Sequence, residues 1–339
     1  MPNGPEPHAS GASHPARAGD AVGAVVTAFN PSAGLLDACR SLVGQVALVV
    51  VVDDGSTRPD DALLDGCAEL GAVVVRHGSN RGIGAALNTG VREVRERLGS
   101  ACEHVLTLDQ DSVVPPGYVA ALLRAGRQAH AAGLRVAMVG PARAGSIRPA
   151  AARRGPGRGA SAGPRSDRAD HPDHPDHPAN HPAVVHSREP IQSGLLVACA
   201  ALDELGTFAD ELFIDGVDTD LYLRATGRGW AAVAAPGTHL EHALGQVHAV
   251  GGRDGGRPRL SLVHAAPFRY YYIVRNRVHL VRRHGRRAPA WAATAVLRDA
   301  RHLLVTTALV PGRRARLAHA ATGLVHGLRG VVGPRTPGR

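Results

Sequence analysis

An α/β fold with a mostly parallel sheet flanked by helices follows from three features of this 339-residue sequence. Strand-like and helix-like segments alternate through its first half. The strands are uniformly apolar, as in parallel sheets covered on both faces. They also stop abruptly in turn residues rich in carboxylates, and ligands of such sheets bind at the carboxyl ends of the strands. A hydrophobic content of 44% is enough for a sizeable core at this length.

The elements come in order. "GAVVTAF" reads as a buried strand, "SAGLLDACRSLVGQ" as an amphipathic helix and "ALVVVVDDGS" as a second buried strand closed by a turn. "DALLDGCAELG" is the next helix and "AVVVRHG" the next strand, followed by the helix of "GIGAALNTGVREVRERLG". "HVLTLDQD" is a fourth strand, and "PGYVAALLRAGRQAHAAG" a helix with Pro116 near its start. The pattern breaks at residues 143–189, an Arg- and Gly-rich stretch that continues into a His-Pro repeat. Proline at every third position there disfavours helix and sheet, so an exposed extended loop is expected, and His171, His174, His177 and His181 read as loop expansion rather than as a metal site. Residues 1–20 read as a disordered tail without an apolar secretory core. The expected organisation is therefore the tail, a first half over 21–142, the loop over 143–189, a second half over 190–285 and a basic helical extension over 286–339.

Charge and cysteine content narrow the functional classes. The formal net charge is +10, and from Gly251 onward eighteen arginines face only Asp254 and Asp299. Such an excess suits nucleic acid, a phosphorylated substrate or an anionic membrane. Aromatics are only 3% of the chain and no helix-turn-helix or RNP pattern occurs, which argues against nucleic acid. Cys39, Cys67, Cys102 and Cys199 lie far apart without CxxC spacing, which disfavours a structural zinc site and a dense disulfide framework and suits a reducing cytoplasm. "PAWAATAVLRDARHLLVTTALV" is interrupted by charge and should not span a membrane. Two readings stay open for it, an interfacial helix on an anionic leaflet or a helix packed on the main domain.

Chemistry concentrates at two strand ends. Asp109 and Asp111 in "LTLDQDS" form a DxD pair at a loop mouth, an oxygen ligand set suited to Mg2+ or Mn2+ shared with substrate phosphates. Asp53 and Asp54 in "VVDDGS" fall at the same sheet edge. In "SNRGIGAALNTG" Leu87 stands where a dinucleotide fingerprint needs a third Gly or Ala, so a Rossmann dehydrogenase is disfavoured. A helix start beside Asn80 and Arg81 still suits an anion.

Taken together, "VVTAFNP", "VVDDGS", "NRGIGAALNTG", "LTLDQDS", "IQSGLLV", "ELFIDGVDTDLYLR", "HLEHALG" and "RYYYIVRN" resemble, in order, the family 2 nucleotide-sugar glycosyltransferases with the GT-A fold, and among them the bacterial rhamnosyltransferase branch. The resemblance runs from about Val25 to Asn276. It implies that Asp53 contacts the nucleotide base with Asp54 supporting, that Thr27 and Asn30 line the same pocket and that Arg81 approaches the nucleotide or its phosphates. It further implies direct metal ligation by Asp111, a ribose or water-mediated contact from Asp109, and completion of the metal site by His242, with His239 as polar lining. In "FIDGVDTDLYLR" the family's acidic motif has Val217 at its Glu position. Asp218 is then the general base and Asp215 the second choice, while Asp220 pairs with Arg224 one helical turn on.

The function implied is an inverting, metal-dependent transfer of a sugar, rhamnose from dTDP-rhamnose, to a cell-envelope glycan or polyprenyl-linked acceptor. The enzyme would be cytoplasmic and peripheral on the inner face of the plasma membrane. A galactofuranosyl or other hexosyl transferase of the same fold is the alternative, followed by a non-catalytic nucleotide- or polyanion-binding protein.

Overall fold

The computed structural model describes residues 22–144, 184–241, 246–254 and 257–335. The predicted first half is present element by element: β1 (Val22–Ala28), α1 (Gly34–Leu42), β2 (Leu48–Asp53), α2 (Asp61–Glu69), β3 (Val73–Arg76), α3 (Ile83–Leu98), β4 (His104–Asp109) and α4 (Tyr118–Ala131). Then come β5 (Val136–Ala144), β6 (Val185–His186), β7 (Leu195–Ala198), α5 (Cys199–Leu205), α6 (Val217–Thr226) and β8 (Ala231–Leu240). The eight strands form one sheet in the order β3-β2-β1-β4-β7-β5-β8-β6. Pairs β1–β2, β1–β4, β2–β3 and β5–β8 are parallel. Strand β7 runs antiparallel between β4 and β5, and β6 is antiparallel at the edge.

Side-chain alternation along β1 divides the core. Val22, Ala24, Val26 and Ala28 join Leu35, Leu42 and Leu122 on one face, whereas Val25 joins Leu87, Val91 and Val94 on the other. Both faces are therefore covered, which is why the strands carry no polar stripe. Helix α3 lies close on the sheet because Gly90 has no side chain: a Cβ there would stand 2.2 Å from a methyl of Val25.

Parallel register aligns the chemistry-bearing ends. Thr27 pairs with Asp109 and Ala28 with Asp53, so the ends of β1, β2 and β4 open on one edge of the sheet. Beyond the sheet lie the antiparallel ribbon of β9 (Gln246–Asp254) and β10 (Arg257–His264), then α7 (Arg269–His284), α8 (Pro289–Leu309) and α9 (Arg313–Leu328). Helix α7 packs its buried Tyr270, Tyr271, Tyr272 and Arg275 inward; the Arg275 guanidinium sits 4.9 Å from the Tyr272 ring centre and donates to the Leu212 carbonyl at 2.8 Å. Helices α8 and α9 pack on α7, and no described helix is long and apolar enough to cross a membrane. The histidines of the His-Pro repeat, and the segment around them, lie outside the described residues.

Candidate active site

A cavity of about 570 Å³ opens at the carboxylate-rich edge, lined by Thr27, Asp54, Asp109, Asp111, Asp215, Asp218 and Arg269 among others. Its donor side is built by the DQD turn. The middle residue, Gln110, is turned back to β1: its side-chain oxygen accepts from Phe29 N at 2.8 Å and its amide donates to Phe29 O at 3.3 Å. With Gln110 anchored, Asp109 and Asp111 both border the cavity, and Thr27 Oγ1 donates to Asp109 Oδ1 at 3.5 Å.

The segment Gln192–Ser193 ties this turn to the opposite wall. Ser193 Oγ accepts from Asp109 N at 3.1 Å and donates to Ser112 Oγ at 2.8 Å, while Gln192 N donates to Asp218 Oδ2 at 3.2 Å. The two acidic clusters, about a hundred residues apart in the chain, are thus held through two consecutive residues of the "IQSGLLV" stretch.

The acceptor-side wall separates three carboxylates by environment. Asp218, in the first turn of α6, also accepts from Thr219 N at 2.7 Å. Burial raises its pKa above the ordinary value and outweighs the backbone N–H groups of Thr219, Gln192 and Asp218 itself that stabilise the anion; the Asp215 charge adds to the rise. Asp215 has a left-handed φ of 67° and receives the Arg269 guanidinium on both oxygens, through Nε at 3.2 Å and through a close Nη2 contact. Burial opposes the charge of Arg269, yet Asp215 first, then Asp109 and Asp218, raise its pKa. Asp220 points away into the core, where Arg224 Nε donates at 2.8 Å, as the one-turn spacing predicts, joined by Arg283 at 3.0 Å and His284 at 2.8 Å.

Several predicted binding residues sit differently. Asp53 does not line the cavity; its Oδ1 accepts from Ser56 N at 3.3 Å and from the Ser56 hydroxyl, closing the DGS turn. Asn30 is likewise spent on that turn, its Oδ1 accepting from Arg58 N at 2.9 Å and Thr57 Oγ1 at 3.1 Å. Asp54, expected only to support, is the member of the pair at the cavity. It accepts from Arg81 N at 3.0 Å, from Gly82 N at 2.8 Å and pairs with His77 Nδ1 at 2.7 Å. The N–H of Ile83 donates to Phe213 O at 2.8 Å, so the protein's own oxygens take part of the anion site expected at the start of α3. Gly82 permits this approach, since a Cβ there would lie 2.4 Å from Phe213 O. The Arg81 side chain is exposed and outside the cavity lining, because the chain turns at that point to bring Asn80 and Gly82 inward. His242 lies outside the described residues, and His239 sits on β8 in register with Arg143.

Sequence reasoning missed Arg269, Gln192, Ser193 and the brace behind them. Asn276 places its side-chain amide within reach of the carbonyls of Leu212, Ile214 and Asp215, at 2.9, 2.7 and 2.8 Å. That clamp, from the "RYYYIVRN" stretch, holds the loop in which Asp215 takes its unusual backbone conformation. The position of Arg269 on the first turn of the same helix was the available signal.

The sequence profile described as Glycosyl transferase family 2 matches residues 24–145. That segment is a family 2 glycosyltransferase domain. The match includes Thr27, Asn30, Asp53, Asp54, Arg81, Asp109 and Asp111 and ends before the acceptor-side wall. Around that segment the chain has a central sheet flanked by helices, with further helices at the C-terminal end, the layering that the motifs imply. Among solved structures it is similar to S. aureus TarS in complex with UDP-GlcNAc, at 12% identity over 91% of this chain and 81% of that chain, with a TM-score of 0.49. It is also similar to glucosyl-3-phosphoglycerate synthase from Mycobacterium tuberculosis in complex with Mg2+ and UDP, at 24% identity over 37% of this chain and 44% of that chain, with a TM-score of 0.27. No curated protein matches the sequence.

The donor set fits a hard divalent cation. Asp109 and Asp111 supply carboxylate oxygens at the cavity, and among the described residues no third His, Cys, Asp or Glu completes a closed metal cluster with any such pair.

Proposed function

We propose that this glycosyltransferase is an inverting, metal-dependent enzyme that moves rhamnose from dTDP-rhamnose to a hydroxyl of a cell-envelope glycan or polyprenyl-linked acceptor. The observation that carries the reading is the single cavity bordered by the DxD carboxylates on one wall and by Asp218 on the other. Asp109 and Asp111 would hold Mg2+ or Mn2+, with His242 as a further ligand, and the bound ion would supply Lewis acidity toward the departing diphosphate. Thr27, Asp54 and the adjoining edge receive the nucleoside. Asp53, Asn30 and Arg81 act from behind this edge by shaping the turns that form it.

Asp218 accepts the proton of the acceptor hydroxyl as that oxygen bonds to the anomeric carbon and the carbon–phosphate oxygen bond breaks. Its raised pKa makes it a better proton acceptor than an ordinary surface carboxylate. Asp215 is held in an ion pair by Arg269 and is the second choice for this role. The donor sugar rests on the likeness of "LTLDQDS" and "FIDGVDTDLYLR" to the rhamnosyltransferase branch. The protein acts as a peripheral enzyme on the inner face of the plasma membrane: Leu297 and Leu304, both 71% exposed and two turns apart on α8, and Leu328, 63% exposed on α9, stand among arginines.

The test is a donor panel read by product mass, run with wild type, Asp111→Asn and Asp218→Asn. Rhamnosyl transfer is expected, with Asp111→Asn losing metal-dependent nucleotide binding and turnover together. Asp218→Asn should bind nucleotide normally and turn over on the order of 100- to 10,000-fold more slowly. Transfer of a galactofuranosyl or other hexosyl group replaces the donor assignment. No transfer from any donor, with nucleotide still bound, refutes catalysis altogether.

A further inference from the structure

We propose that Cys102 and Cys199 form a redox-active dithiol, a thiol-modification site at the opposite end of β4 from the DQD turn, which reacts with low-molecular-weight disulfides. Folding brings the four dispersed cysteines into two pairs, Cys39 with Cys67 and Cys102 with Cys199, each with 3.5 Å between sulfurs. The pairs differ in access. Cys39 and Cys67 are sealed between α1 and α2, at 1% and 0% exposure, and burial leads the rise in both their pKa values. Cys102 and Cys199, at 8% and 6%, border a second cavity of about 730 Å³ together with Arg95, Arg127, His130 and Arg135.

The geometry of this second pair suits closure. Cys102 precedes β4 and Cys199 follows β7, two antiparallel neighbours whose ends pair His104 with Ala198. The Cys199 amide donates to Glu103 O at 2.8 Å, pinning the two sulfurs side by side. The thiols are also unequal. The hydrogen bond between the two sulfurs lowers the Cys102 pKa against the effect of burial, with help from Arg95; the same bond, then burial, raises that of Cys199. Cys102, also the more exposed of the two at this cavity, is the nucleophile and Cys199 the resolving thiol.

In the reaction the Cys102 thiolate attacks one sulfur of the external disulfide, forming a mixed disulfide and expelling one thiolate. The Cys199 thiol gives its proton to solvent and attacks the Cys102 sulfur, expelling the second thiolate. Two protein thiols are oxidised to one disulfide, and one external disulfide is reduced to two thiols. Asp109 lies on the order of 20 Å away along the strand, so the site is separate from sugar transfer.

The test is titration of the native full-length protein with oxidised and reduced glutathione, followed by acid quench, alkylation and peptide mass mapping. The Cys102–Cys199 disulfide is expected first, with Cys39 and Cys67 still alkylated after denaturation. Cys199→Ser should accumulate glutathione on Cys102, and Cys102→Ser should modify Cys199 at least about tenfold more slowly. A Cys39–Cys67 disulfide appearing first, or no disulfide in the native wild type, overturns the proposal whether or not the variants fold. So does a folded Cys199→Ser protein with no adduct on Cys102.

Discussion

Asp220→Asn separates structure from catalysis on α6. The Asp220 carboxylate is fully buried and accepts from Arg224, Arg283 and His284. Burial alone would raise its pKa, but the His284 hydrogen bond and the charges of Arg224 and Arg283 outweigh it and lower the value from 3.8 to about 2. At roughly 1.4 kcal/mol per pH unit, ionisation of this one group contributes about 2 kcal/mol at neutral pH. Asparagine keeps the shape and loses the charge. Arg224 retains the carbonyls of Leu205 and Thr207 at 2.6 and 2.7 Å, and Arg283 retains Glu211 at 2.6 Å. The loss should therefore be about 2–3 kcal/mol, below the roughly 3–5 kcal/mol of a buried charge left wholly unpaired. Because the folded pKa is depressed, this stability is present above the ordinary carboxyl range and disappears as pH falls from about 4 to about 2. Urea denaturation at neutral pH and near pH 3 measures both quantities, and turnover is measured in parallel on folded protein. Unchanged stability with turnover reduced on the order of 100-fold would refute the assignment and place Asp220 in the proton-transfer machinery.

Three further outcomes follow from the same geometry. The acid limb of the turnover–pH profile should lie above the ordinary carboxyl range, because burial raises Asp218, and it should vanish in the residual activity of Asp218→Asn; an unchanged limb assigns it to another group. Arg269→Gln releases Asp215 from its ion pair and should lower kcat while leaving the thermal midpoint within a few degrees, whereas a large fall in the midpoint with normal kcat makes Arg269 structural only. Liposome binding should increase with acidic lipid and weaken with salt as attraction is screened over about 10 Å at 0.1 M, and Leu297→Glu with Leu304→Glu should abolish it; equal binding to neutral vesicles removes the electrostatic component.

What could be read without coordinates followed from local periodicity. The first four strands and four helices, the common edge holding Asp54 and Asp109, and the Asp220–Arg224 pairing all depend on spacing within one element or on repeated strand–helix units. Side-chain direction at turns was not local information. Asp53 and Asp54 are adjacent and chemically identical, yet the DGS turn consumes one through the Ser56 amide and leaves the other at the cavity, where it accepts from the Gly82 amide. Antiparallel insertion of β7 between β4 and β5 was equally invisible, since a four-residue apolar strand reads the same in either direction.

By itself the sequence determined the α/β layering, the acidic sheet edge and the family to which residues 24–145 belong, since each rests on residue order within short segments. Tertiary structure alone decided which carboxylates face the cavity, that Arg269 pairs with Asp215 while burial raises the pKa of Asp218, and that four scattered cysteines meet in two pairs. The physical reason is common to all three. A pKa, an ion pair or a thiol contact depends on distances of a few ångströms between groups tens of residues apart, and only packing of the completed sheet and helices sets those distances.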